Sequence, residues 1–280
     1  MLNQLKTGLL LGGLTAIVLL FGSFFGKGGL IIAFLFAIAM NVGSYWFSDR
    51  LILTMQRARE VSRKEQPELY RIVEDLAHRA EIPMPRVYIV PDPSPNAFAT
   101  GRNPQHGVVA VTEGILKLLS ADELRGVIAH ELSHVRNRDI LIQTITATLA
   151  GAIMFISQIV QFTAMFGGLG GDDDEGNPLI LLAMAITAPI AAMIIQMAIS
   201  RSREYLADQS GARVAGDPNK LADALEKLDA YSRQVPLKNA HSNTSHLFIV
   251  NPFSKKGLAN LFSTHPPMDE RIQRLRGMHA

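Results

Sequence analysis

Apolar and polar positions follow two regimes along this 280-residue chain. In the first, the runs 7–26, 28–48, 140–171 and 176–200 carry no Asp, Glu, Lys or Arg, so all 27 basic and all 25 acidic residues lie outside them. A helix needs roughly 20 mostly apolar residues to cross a hydrocarbon layer. Leu9–Phe25 and Leu30–Phe47 meet that length, and only Gly26-Lys27-Gly28-Gly29 separates them. This predicts a tight glycine turn at 26–29 and an antiparallel hairpin of membrane helices. A cleavable signal peptide fits poorly, because the first run is long and a second follows at once. Ile140–Phe166 and Pro178–Ser200 form a second pair, relieved by Thr144, Thr146, Gln158, Gln161 and Gln196. Their length favours membrane spans over a buried hairpin in a soluble core.

In the second regime the spacing is that of a water-soluble α+β domain. Leu69, Ile72, Val73, Leu76 and Ala80 recur at helical intervals and predict a helix over Glu68–Ala80. Leu221, Leu225 and Leu228 do the same for Pro218–Ala230. Arg86–Val90 and Gly107–Thr112 are short β-rich runs bounded by Pro, Gly and Asn, which suits a small sheet. Residues 235–263 follow neither period. The expected architecture is therefore α+β and mainly helical, with four membrane helices in two hairpins. Its parts are a membrane hairpin (1–48), a first polar segment (49–139), a second hairpin (140–200) and a second polar segment (201–280).

Charge orients this arrangement. Thirteen Lys and Arg lie in 49–139 and twelve in 201–280, whereas the loop of the second hairpin holds Asp172, Asp173, Asp174 and Glu175. Basic residues mark the cytoplasmic side, so both polar segments face the cytosol. Tyr45 and Trp46 sit where an interfacial aromatic belt is expected, just before Asp49 and Arg50. The acidic run lacks the alternating ligand spacing of a calcium loop and reads as a solvated turn. A net charge of +2 leaves no nucleic-acid footprint. With no cysteine, neither disulfides nor thiolate chemistry are available.

The chemistry concentrates in Ser120 to His134. Ser120 followed by Glu123 is a capping box, which starts a helix there. On that helix His130 and His134 are four residues apart and project from one face, as one zinc ion requires. Glu131 lies about 100° round the helix, placed to reach a metal-bound water rather than the metal. A catalytic zinc takes three protein ligands and keeps one open position. The longer motif with a third histidine is excluded, since Asn137 replaces its glycine and Ile140 its last histidine. Glu204 is the best third ligand. His134 precedes the second hairpin and Glu204 follows it by a few residues, so an antiparallel hairpin returns both to one depth. The alternative for Glu204 is a surface pair with Arg201 or Arg203. Asp208, one turn later, can support a ligand histidine from its far nitrogen. His78, His106, His241, His246 and His279 read as surface or structural residues.

Asn96-Ala-Phe-Ala-Thr-Gly101, Val108 to Leu116, His130-Glu-Leu-Ser-His134, Ser202 to Asp208 and Ser263-Thr-His-Pro-Pro267 closely resemble HtpX-type membrane zinc proteases over nearly the whole chain. The type I CAAX prenyl endopeptidases are more distantly similar. The resemblance implies a zincin-like (gluzincin) catalytic domain holding one Zn2+ per chain. It implies a multi-pass protein of the bacterial inner membrane that cleaves damaged or misfolded membrane proteins under stress. It further implies that Asn96 and His265 contact the bound peptide. The Gly107–Thr112 strand is expected to offer an edge to an extended substrate. Against endoproteolysis stands a membrane chaperone or scaffold with a structural metal site, and Glu131 discriminates between them. A structural site has no use for an unligated carboxylate beside it.

Overall fold

The computed structural model describes residues 2–23, 26–139, 201–234 and 266–278. The second hairpin, 140–200, and the irregular stretch 235–263 lie outside these residues. Over the described residues there are two compact units, one ending at Tyr45 and one comprising 46–139, 201–234 and 266–278.

The first unit contains α1, Leu2–Ser23, and most of α2, Gly26–Met55. The turn between them does not fall at 26–29 as the glycine run predicts. Gly26 opens α2 with a φ of 69°, and Gly28 and Gly29 lie inside the first helical turn. A Cβ at Gly22 would stand 2.2 Å from that of Ala33 and 2.8 Å from the Gly29 carbonyl oxygen. Small residues therefore let the two helices touch. Leu30, Ile31, Ile32, Phe34, Leu35, Phe36, Ile38 and Val42 are exposed, while Ala33 and Ala37 are buried. Counted over the described residues alone, no helix is long and apolar enough to cross a membrane.

The second unit is mainly helical with a small mixed sheet. Its sheet comprises β1 (Arg59–Glu60), β2 (Arg86–Val90), β3 (Ala97–Thr100) and β4 (Val108–Thr112), in the order β1-β2-β4-β3. β2 and β4 run parallel, with Arg86 opposite Val108 and Val90 opposite Thr112; β3 lies antiparallel to β4. β3 and β4 are buried along their whole length, and β2 from Val87 on, because both sheet faces are covered there, whereas β1 is charged and exposed. Val87, Ile89, Ala97, Val109 and Val111 join the main core, whereas Tyr88, Val90, Phe98, Val108 and Ala110 pack with Leu53 from the end of α2. The expectation that Gly107–Thr112 forms an edge is overturned. β3 pairs along β4's far side, so β4 is interior and β3 is the edge. Four residues were too few to read as a strand, although Asn96-Ala-Phe-Ala-Thr100 supplies it.

The remaining elements are α3 (Pro67–Arg79), α4 (Glu113–Leu118), α5 (Ala121–Asn137), α6 (201–215), α7 (Pro218–Gln234) and α8 (Met268–Arg276). Ser120 and Glu123 form the capping box at the start of α5. From Leu124 to Val135 nearly every α5 residue is buried, with the sheet and α3, α6 and α7 packed around it. Glycine makes two of these contacts possible. A Cβ at Gly126 would stand 2.9 Å from the Leu221 backbone nitrogen, and one at Gly211 would stand 2.7 Å from both N and Cα of His130.

Gly211→Ala should therefore push α6 off α5. Overpacking of this kind costs about 1–3 kcal/mol, which chemical denaturation of the variant beside the wild type should register as a lower unfolding free energy.

Candidate metal centre

α5 carries His130, Glu131 and His134 into the interior, and the close crossing at Gly211 lays Glu204 and Asp208 of α6 over them. Glu204, Asp208 and Gly211 stand on one helical face, four and seven residues apart. The two imidazoles meet edge to face, with ring centres 4.8 Å apart and planes at 90°. Their Nε2 atoms converge to 3.2 Å. Glu204 closes the group: one carboxylate oxygen lies 3.6 Å from His130 Nε2 and the other 3.5 Å from His134 Nε2. Ligand atoms held tetrahedrally about one zinc ion at about 2.0–2.1 Å lie about 3.3–3.4 Å from one another. The three observed separations bracket that value. His130, His134 and Glu204 can therefore hold one metal ion, and two imidazoles with a carboxylate suit zinc.

Each histidine has a carboxylate behind it. Asp208 Oδ1 lies 2.9 Å from Nδ1 of His130, and Asp139 Oδ2 lies 3.4 Å from Nδ1 of His134. Such partners select the tautomer that leaves Nε2 free for a metal. Asp139 reaches back because Arg138 ends α5 in the left-handed region, at φ 59° and ψ 31°. Burial opposes a charge on His134, but Asp139 and Glu204 outweigh it and push its pKa up to about 10. The pocket thus demands positive charge where an ion would bind.

Arg271 of α8 is wholly buried and forks onto Asp208, with Nε 2.8 Å and Nη2 2.7 Å from the two oxygens. Its Nη1 lies 3.5 Å from Glu204. Burial alone would raise the Asp208 carboxyl, yet Arg271 holds it down at about 2. Arg203 is buried nearby, with its charge facing Asp139 and Glu204.

Glu131 is buried too, and burial pushes its carboxyl up against the pull of both histidines. Its Oε2 accepts the Ala99 N–H at 2.8 Å, so it faces the edge strand β3. Asn96, just ahead of β3, is buried and tied by its backbone to Thr112 at 2.8 and 2.9 Å. His265 lies outside the described residues. The structure therefore brings His130, His134, Glu204, Asp208 and Glu131 together and adds Arg271, Asp139 and Ala99. Arg271 had a signal: with Met268, Ile272 and Leu275 it occupies the apolar stripe of a short helix, where an arginine needs a buried partner.

Residues 63–279 match the family model of peptidase family M48. A protein named protease HtpX homolog from Syntrophobacter fumaroxidans is 54% identical over 280 residues, covering 99% of each chain. A protein of the same name from Pyrococcus furiosus is 56% identical over 272 residues, 97% of this chain and 94% of its own. The crystal structure of S. mikatae Ste24p is similar in fold, with a TM-score of 0.57 at 20% identity. That match covers 98% of this chain and 66% of the other.

Arg271→Met should strand the Asp208 charge in the interior, a loss of about 3–5 kcal/mol at neutral pH. Because the Asp208 pKa is depressed, the stabilisation is full above its ordinary value of 3.8 and fades as pH falls toward about 2. The gap between variant and wild type in denaturation experiments should narrow over that range. Bound metal, measured by competition with a chelator, should weaken by about 10–100-fold.

Proposed function

This chain belongs to peptidase family M48, and from that premise we propose that it is a zinc-dependent membrane endopeptidase with a cytosol-facing active site, acting on damaged or misfolded membrane proteins under stress. The observation that carries the reading is a pair of carboxylates with different placements. Glu204 converges on the two histidines, whereas Glu131 turns away to the edge strand. A structural metal site would need no unligated carboxylate buried beside its ligands.

Zinc, when bound at His130, His134 and Glu204, supplies a Lewis acid for the scissile carbonyl and acidifies the attacking water. Asp208 and Asp139 orient the two imidazoles, and Arg271 fixes Asp208. Glu131 accepts the proton of the water and later delivers it to the leaving amine. In an antiparallel pair, alternate residues turn their main-chain groups away from the partner strand. Ala99 does so toward Glu131, and Ala97 shares its phase. An extended peptide adding along β3 would meet these groups and lie beside Glu131. Asn96 precedes that edge, and with His265 it is assigned to the bound peptide.

Membrane attachment is supported by the charge-free runs 7–26 and 28–48 and by the exposed Leu, Ile and Phe side chains of α2. The lysine and arginine of 49–139 and 201–280 support a cytosolic catalytic side, which in a bacterium is the inner face of the inner membrane.

Purified Glu131→Gln should keep its fold and its zinc and lose nearly all cleavage of an unfolded membrane protein. Cleavage persisting in that variant would refute the mechanism. Glu204→Ala should lose zinc by elemental analysis. Asn96→Ala and His265→Ala should keep zinc and each lose roughly 10²–10³ in turnover, the weight of one donor to developing charge. An accessible tag inserted at Asp173 should be labelled from outside the cell, and a reporter fused after Ala280 should stay in the cytosol. A tag labelled only after the membrane is opened would argue against a spanning second hairpin.

A further inference from the structure

The end of α2 is lashed to the sheet by contacts that the reaction does not use. Leu53 is buried against the sheet face away from α5. One turn earlier Asp49 stands 3.4 Å from Arg86, and just before it Trp46 lies beneath the Arg102 guanidinium, whose carbon is 4.4 Å from the ring centre. Arg102 belongs to the loop 101–107, which joins the edge strand β3 to β4.

That loop is stiff. Asn103 Oδ1 accepts the His106 backbone N–H at 3.1 Å and lies 2.7 Å from His106 Nδ1. Arg102 Nη2 lies 2.8 Å from His106 Nε2. One tautomer serves both contacts, with Nδ1–H donating to Asn103 and Nε2 accepting from Arg102. Gly101 takes a φ of 128°, and a Cβ there would meet the His106 carbonyl oxygen at 2.2 Å. Arg102 is thus held in place over the single tryptophan of the chain.

Trp46 is itself half exposed. Along α2 it follows the exposed apolar run from Leu30 to Val42 and precedes Asp49 and Arg50. A tryptophan at such a junction sits at headgroup level, with its ring between hydrocarbon and water. A guanidinium offers five N–H donors in a planar fork that matches phosphate. Among the described residues, the contacts of Arg102 are with His106 and the indole face.

We propose that the 101–107 loop is a lipid-headgroup contact in which Arg102, braced on Trp46, takes the phosphate of an anionic lipid. Gln105 and His106, both exposed, flank it. The loop thereby holds the β3 edge at the level of the membrane surface, where a segment pulled from the bilayer emerges. This rests on the membrane reading of α2.

The chain has no cysteine, so Gln105→Cys gives a single attachment point for an environment-sensitive fluorophore. The labelled full-length protein is placed in vesicles of phosphatidylcholine with or without phosphatidylglycerol. The anionic lipid should shift the probe emission to the blue and raise the ratio of acrylamide-shielded to accessible probe about fivefold, the weight of one basic side chain at an anionic surface. Arg102→Glu should remove both effects, while lipid brominated in its acyl chain still quenches Trp46. A probe equally open to acrylamide in both vesicles, with Trp46 still quenched, would overturn the headgroup contact and leave the membrane reading standing. An unquenched Trp46 would overturn both.

Discussion

Burying negative charge is the constraint on which the catalytic unit turns. Glu131, Asp139, Glu204 and Asp208 are all removed from water beside two imidazoles. Carboxylates in such a place are tolerable only when matched by positive charge and hydrogen bonds. Arg271 satisfies Asp208 from α8, and Arg203 faces Asp139 and Glu204 from α6. What remains is a negative hollow between His130, His134 and Glu204 that fits a divalent ion. The helix crossings follow from the same need: α6 must come within backbone contact of α5 to bring its carboxylates to the histidines, and only glycine at position 211 lets it.

The site was legible where its chemistry is local. His130, Glu131 and His134 stand on one capped helix, so period and capping box together specify their face. Glu204 was reachable by a longer argument, because a hairpin returns the chain to the depth at which it left. Arg271 and Asp139 were not found. Arg271 reaches Asp208 across 63 residues of sequence, and Asp139 reaches His134 only because Arg138 adopts a backbone conformation unusual for a side chain of its size.

The fold divided along similar lines. Amphipathic helices with one buried stripe, such as α3 and α7, declare themselves by period. Two strands, β2 and β4, declared themselves as β-rich runs between turn residues, but β3 did not, because it is buried on both faces and loses the alternation that marks a half-buried strand. β3 and β4 differ little as strings of Ala, Val, Phe and Thr, and which one lies outermost is decided by pairing that no short-range pattern encodes. The glycine turn of the first hairpin was misplaced for a related reason. Gly28 and Gly29 looked like loop residues, yet both are helical, and it is Gly22 of α1 that comes close to the Gly29 carbonyl.

The depth of α5 has a consequence for how the molecule moves. A helix enclosed on nearly every side opens only when the whole domain opens, so its amides belong to the last cooperative unit to exchange with solvent. The histidines and Glu131 are therefore fixed to the most persistent part of the structure. β3 is only four residues long and lies at a rim of the sheet, but its side chains are buried and its Ala99 N–H is tied to Glu131. The reactive groups and the strand that would present a peptide to them are thus joined through the Ala99–Glu131 bond. The histidines, Glu131 and the strand beside them would therefore hold their relative places whatever peptide is bound.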